Sequence, residues 1–322
     1  DLWFHVFDLF SLYFFGFVGG DGLTYTEFAH EIYKNFIDLN FINVFRGGED
    51  NFQFTPGFRY FLFLNHLISG DFYYLYFFIL FFLPKIIYKF LCYQFNEKIG
   101  YIFTLSFLLF PLLHHLGFSY YQYIRHAYRL FPESLAYMIF IYALFLFYSN
   151  FKSKYLYMNF LFALSVFLRP NLVITVFVIV LLKTIHERIN IFKFNYFIIL
   201  IAISLIYLFP LIHNYYFANA FTLFTKYGAE ILSLENIMSK DISFYVEKFL
   251  SINSLFIFLL FYAKGDKYLK LIMATQYFTI FYFDNNGRYY WIYWFASLIL
   301  ISKIFIDLKL YKWEHIRKFI TK

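Results

Sequence analysis

Residues 133–149 read ESLAYMIFIYALFLFYS, preceded by Pro132. After Glu133 the run holds no charge and is long enough to cross, or nearly cross, the ~30 Å hydrocarbon layer of a bilayer. Similar runs recur at 2–20, 72–91, 101–117, 155–168, 171–183, 195–213, 247–263, 271–284 and 289–308. The reading is therefore all-α: a polytopic transmembrane helix bundle of about ten spans, one membrane-embedded domain over 1–322. Several runs are short for a full crossing, so broken or partly crossing helices are expected among them.

Composition agrees. Hydrophobic residues make up 62% of the 322 and charged residues 15%, well under the ~25% of a typical soluble protein. A soluble fold of this size has no interior large enough to hide that apolar surface. Phe (53) and Tyr (33) are abundant throughout, so an aromatic cluster by itself points to no binding site. The single cysteine, Cys92, excludes a disulfide framework and any cysteine-based metal site. The chain opens at Asp1 and turns apolar at once. Without a basic lead or a small-residue cleavage site this is no signal peptide, and 2–20 is expected to be a first span whose N-terminal lead is truncated. Asp8 inside it must face protein or water.

Charge gives orientation. Of 27 Lys and Arg, 17 lie at 85–98, 152–154, 183–193, 264–270 and 303–322, in short loops and the tail. That side is expected to be cytoplasmic. The opposite side carries the longer outer loops, about 21–71, 118–132 and 214–246, and most carboxylates. The net charge of +7 then belongs to the membrane surface and calls for no nucleic acid. Any chemistry belongs at the outer face, and the expected location is a bacterial-type cytoplasmic (inner) membrane with the active face outward.

The first outer loop opens GGDGLTYTEFAHEIY from Gly19, with Phe28, Ile32 and Phe36 at helical spacing and Leu23 and Tyr33 near the same stripe. This predicts an amphipathic helix lying on the bilayer. Asp21 stands at its joint with the first span, where a carboxylate can meet a lipid-borne and a water-borne substrate together. It reads as a general base or as a plain helix cap. Further on, Pro56-Gly57 starts a helix returning toward the membrane, on which His66 is a structural histidine, and Gly70-Asp71 closes it. RLFPESLAYMIF places Glu133 at a helix start, where the helix dipole alone explains it. Leu168-Arg169-Pro170-Asn171 interrupts two short spans. LIHNYYFANAFTLFTKYGAE carries His213, Asn214, Tyr215 and Gly228, and Arg288-Tyr289 precedes the last span.

In this order, over nearly the whole chain, these motifs resemble the GT-C superfamily of membrane glycosyltransferases, and in particular bacterial relatives of protein O-mannosyltransferases and lipid A aminoarabinose transferases. The matching positions are Asp21, Tyr25 and Ala29; Pro56-Gly57; Gly70-Asp71; Glu133; Leu168 to Asn171; Asn214, Tyr215 and Gly228; and Arg288-Tyr289. Two positions depart from the pattern. His213 stands where an arginine is usual, and Gly22 follows Asp21 where a second carboxylate often lies.

The resemblance implies an inverting transfer of a sugar from a polyprenyl-phosphate donor to an envelope glycan, lipid or protein. Asp21 would be the base, with Tyr25 and Glu133 at the substrate. Arg288 would meet the donor phosphate, with Arg129, Lys226 and Arg169 as further contacts; Arg125 and Arg59 share their side of the membrane. Arg125 and Arg129 also read as an interfacial belt, and Arg169 as a cap on helix carbonyls. The resemblance fixes no cofactor and leaves a divalent cation open. A divalent cation among Glu49, Asp50, His114, His115 and His126 has no recognised ligand spacing to support it. Two rival classes stand beside the transferase. One is an O-antigen-type polysaccharide polymerase or ligase that relies on outer arginines. The other is a lipid or solute transporter, disfavoured because charges cluster outside the spans and no internal repeat is present.

Overall fold

The computed structural model describes residues 20–48, 56–70, 73–109, 118–189, 194–225, 230, 233–262, 264–281 and 287–307. Their regular elements are all helical, and no strand occurs among the described residues. The helices fall into two compact units.

The first unit opens with α1 (Gly20–Ile37), α2 (Phe41–Arg46) and α3 (Pro56–Ser69). It continues through α4 (Tyr74–Leu80), α5 (Leu83–Gln94) and α6 (Glu97–Leu109), then α7 (Tyr120–Tyr128), α8 (Pro132–Ser149) and α9 (Tyr155–Leu168). After an excursion of the chain, α11 (Phe194–Ala218) joins them. The second unit holds α10 (Val173–His186), α12 (Leu234–Met238), α13 (Ile242–Leu250), α14 (Ile252–Leu255), α15 (Lys267–Ile280) and α16 (Trp291–Asp307). The chain passes from one unit to the other at Pro170–Asn171, inside the interruption that Arg169-Pro170-Asn171 predicts. Arg169 is extended there, as a residue before proline prefers, and Pro170–Leu172 forms a single 3-10 turn.

Among the described residues four helical stretches are long and apolar enough to cross a membrane: Tyr74–Gln94, Pro132–Ser149, Leu200–Ala218 and Arg288–Asp307. Hydropathy alone predicts ten, and the difference has identifiable causes. The run 2–20 lies outside the described residues. Tyr155–Leu168 and Pro170–His186 are apolar helices, but each is shorter than a full crossing. The run 247–263 is not one helix: Ser251 turns extended between α13 and α14, and Phe256–Phe261 winds as a 3-10 helix. Tyr74–Gln94 carries a two-residue turn between α4 and α5, just before Pro84, whose missing N–H cannot continue the ladder.

The core of the first unit is α8, buried nearly all round, with Phe140 and Phe147 packing on Phe162 of α9 at ring distances of 5.4 and 6.4 Å. Helix α1 departs from expectation. Its buried stripe is Tyr25, Phe28, Ala29 and Ile32, and it faces α3, whereas Leu23 and Phe36 are exposed. Of the apolar face expected to lie on lipid, the part from Tyr25 to Ile32 is a protein contact, with Phe58 of α3 meeting Tyr25.

Candidate functional site

Five residues at the start of α3, Pro56 to Tyr60, form the centre on which the first unit converges. Pro56 suits a helix start, having no N–H to leave unpaired. Gly57 permits close approach: a β-carbon there would lie 2.3 Å from the Phe167 carbonyl oxygen at the end of α9. Phe58 meets Tyr25 of α1 edge-on at 5.0 Å and Tyr76 of α4 at 5.7 Å. Tyr60 stacks on Phe167 and meets Phe209 of α11 edge-on, and its hydroxyl donates to the Phe45 carbonyl. Burial pushes the Tyr60 phenol up, with Arg59 opposing, so it stays a donor.

Arg59 is completely buried. Its Nη1 donates to the Gly47 carbonyl at 2.8 Å, and its guanidinium sits 4.2 Å over the Phe28 ring. Gly47 and Gly48 both adopt positive φ to turn the chain around this cation. At Gly48 a β-carbon would strike the Phe28 ring. His213 of α11 closes the arrangement, its Nε2 2.9 Å from the Arg46 carbonyl oxygen. Asn214 donates to the carbonyls of Thr222 and Phe224 and so folds the chain after α11 back on that helix's end.

A second polar group lies beside this centre. Glu133 in the first turn of α8 is buried, and its Oε1 accepts from Arg169 Nη2 at 2.6 Å. The hydroxyl of Tyr76 donates to the Phe131 carbonyl, and Ser134 donates to the Tyr123 carbonyl, so the start of α8 is held from both sides. Asn65 of α3 accepts from the Tyr76 N–H.

Asp21 occupies the first turn of α1 and is half-buried. It shares a helix stripe with Tyr25 and Phe28, being four and seven residues before them, and so lies on the α3 side, about 10 Å along the axis from Phe28. A carboxylate at this position is also favourable to the helix dipole. Arg129 is the half-buried residue closing α7, with Arg125 in its last turn.

The sequence candidates thus divide. Asp21, Tyr25, Arg169, Glu133 and Arg129 all belong to the first unit, and Glu133 and Arg169 are in direct contact. Arg288 belongs to the second unit, where its Nη2 donates to the Tyr289 hydroxyl at 2.9 Å. Lys226, Glu49, Asp50, His114, His115 and Asp71 lie outside the described residues. Among the described residues no three His, Cys, Asp or Glu side chains gather closely enough to hold a metal ion. Arg59 is the residue whose importance the sequence hides, since an arginine in an apolar segment reads as an interfacial one. The nearby pair of glycines, Gly47-Gly48, was its only local signal.

The second unit has a polar seam of its own. Gln276 Nε2 donates to Thr175 Oγ1 at 2.7 Å, Thr175 Oγ1 lies 2.8 Å from Thr275 Oγ1, and Thr275 donates to the Leu271 carbonyl at 2.7 Å. Each hydroxyl has one proton to give, so donation runs in one direction from Gln276 to Leu271.

No family model, curated protein or solved structure matches the chain.

Proposed function

We propose that the chain is a membrane glycosyltransferase of the GT-C kind. It moves a sugar from a polyprenyl-phosphate donor to an envelope glycan, lipid or protein at the outer face of the cytoplasmic membrane. One observation supports this reading. Pro56–Tyr60, itself one of the matching stretches, meets Tyr25 of a second through Phe58 and closes on Phe167 beside a third, and Arg169 of that third stretch pairs with Glu133 of a fourth, all in a single unit. They are dispersed along the chain, and packing alone does not require them to meet.

In this mechanism the Asp21 carboxylate takes the proton from the acceptor hydroxyl or amine. The freed lone pair bonds to the sugar C1 as the bond from C1 to the phosphate oxygen breaks, with inversion. Polyprenyl phosphate departs with the electron pair, and positive charge builds transiently on the ring as in glycoside hydrolysis. Arg129 and Arg169 are the cations of this unit assigned to the donor phosphate, whose charge a fixed guanidinium meets without reorganising. Arg59, being enclosed, holds the frame and touches no substrate.

Asp21→Asn is the test. In membrane vesicles supplied with radiolabelled sugar on undecaprenyl phosphate, the wild type transfers label and the variant does not. A variant that transfers at the full rate removes the base, and with it this mechanism. The same result favours an arginine-dependent polymerase or ligase.

A further inference from the structure

In the second unit, Arg288–Asp307 is long and apolar enough to cross a membrane. Two elements too short to qualify run beside it, level with its part from Tyr293 to Asp307. Helix α15 lies antiparallel to it: Asp266, its N-cap, is 4.0 Å from Lys303, and the ring of Tyr277 near its other end lies tilted at 5.9 Å from that of Tyr293. The preceding segment, 252–262, runs the opposite way to α15. Ser254 Oγ lies 2.5 Å from Tyr277 Oη, Phe256 meets Trp294 edge-on at 4.8 Å, and Tyr262 donates to Asp307 Oδ2 at 2.6 Å. This segment therefore travels from the level of Tyr293 to the level of Asp307.

Its length is enough only because of how it is wound. Four α-helical residues and six 3-10 residues reach about 18 Å, and the fourteen residues of α15 about 21 Å. Polar groups close both ends: Asp266, Lys270, Lys303 and Asp307 at one, the hydroxyls of Ser254 and Tyr277 at the other. Between them the outward faces are apolar. Leu255, Phe258 and Phe261 are 59, 61 and 81% exposed and recur every third residue, the repeat of the 3-10 helix, so they line one face. Phe278 and Phe305 are exposed on the neighbouring helices.

We propose that these three elements each cross the membrane through an apolar belt about 20 Å thick, and that the partner covering the Leu255–Phe258–Phe261 stripe is the acyl layer of a bilayer thinned to that depth. The charge and hydroxyl girdles at the two ends set the thickness. Continuity with the flank of α16, whose span is the unit's longest, places the stripe against lipid tails.

Two measurements on the full chain in sealed vesicles test this. Cys92→Ala leaves no cysteine, so Ser243→Cys and Lys264→Cys each provide a single exposed thiol on one side of the segment. A membrane-impermeant thiol reagent should reach one of them directly and the other only after permeabilisation. A nitroxide on Phe258→Cys should be accessible to dissolved oxygen and shielded from a water-soluble paramagnet. Unmodified protein should melt higher in lipid with chains of about 14 carbons than of about 18 or 22. Labelling of both thiols from the same side ends the three-pass arrangement. Shielding of Phe258 from both relaxants shows a protein partner or a second copy on the stripe. A melting maximum at the longer chains removes the thin belt.

Discussion

Arg169 at the end of α9 and Glu133 at the start of α8, thirty-six residues apart, meet at 2.6 Å with the carboxylate buried. The pair ties the two helix ends that flank Pro56–Tyr60. Removing one partner strands the other charge, which costs about 3–5 kcal/mol in a buried pair. Glu133→Gln and Arg169→Gln should each lower the melting temperature strongly. The double variant should recover much of the loss, since two neutral amides can bond. Equal losses that simply add would show that the two groups act independently.

Gly57→Ala should destabilise by about 1–3 kcal/mol, the usual range for overpacking, because the Phe167 carbonyl already occupies the space of a β-carbon. Gly70→Ala at the other end of α3 is a control of opposite geometry. Its surroundings are open and its φ is +59°, so only backbone strain applies, and the loss should be smaller. Thermal unfolding followed by circular dichroism compares the two.

Arg59→Met keeps the stem and removes the charge. The Gly47 carbonyl loses its donor and Phe28 its cation, so the Gly47-Gly48 turn should loosen. Protease should then cut at 46–48 faster than in wild type, while helix content stays nearly constant. Unchanged cutting would mean that the turn holds itself.

Asp21→Asn should leave the stability within about 1 kcal/mol of wild type, the scale of one helix-terminus charge, while abolishing transfer. A large thermal loss with partial activity would instead mark Asp21 as a structural cap.

Thr175→Val breaks the hydrogen-bond run from Gln276 to Leu271. Interhelical hydrogen bonds in membrane proteins contribute about 0.6 kcal/mol on average and up to about 1.7, so a small to moderate drop in melting temperature is expected. Thr175→Ser, which keeps the hydroxyl, should show little of it.

Much of the helical architecture was legible because apolar runs and prolines act locally. The break at Arg169-Pro170-Asn171 and the close-packed start at Pro56-Gly57 both follow from proline and glycine backbone chemistry. The orientation of α1 was not legible, because lipid and a neighbouring helix demand the same apolar stripe. The run 247–263 reads as one span but is divided at Ser251 and winds partly as a 3-10 helix, since hydropathy does not distinguish an α-helix from a 3-10 helix. Glu133 and Arg169 stand out in the sequence as separate motif residues, but neither their contact nor the Arg59 centre beside them is legible there. His213 bonds to a carbonyl 167 residues away, and Arg59 carries a charge that composition places at an interface.

Helix α3 is seated very differently at its two ends. Around Pro56–Tyr60 it is joined to five other helices through carbonyls, a guanidinium and packed rings. By Ile68 and Gly70 it projects with free space about it. A side chain exchanged at Ile68 therefore answers to little around it, whereas one exchanged at Phe58 disturbs several helices at once.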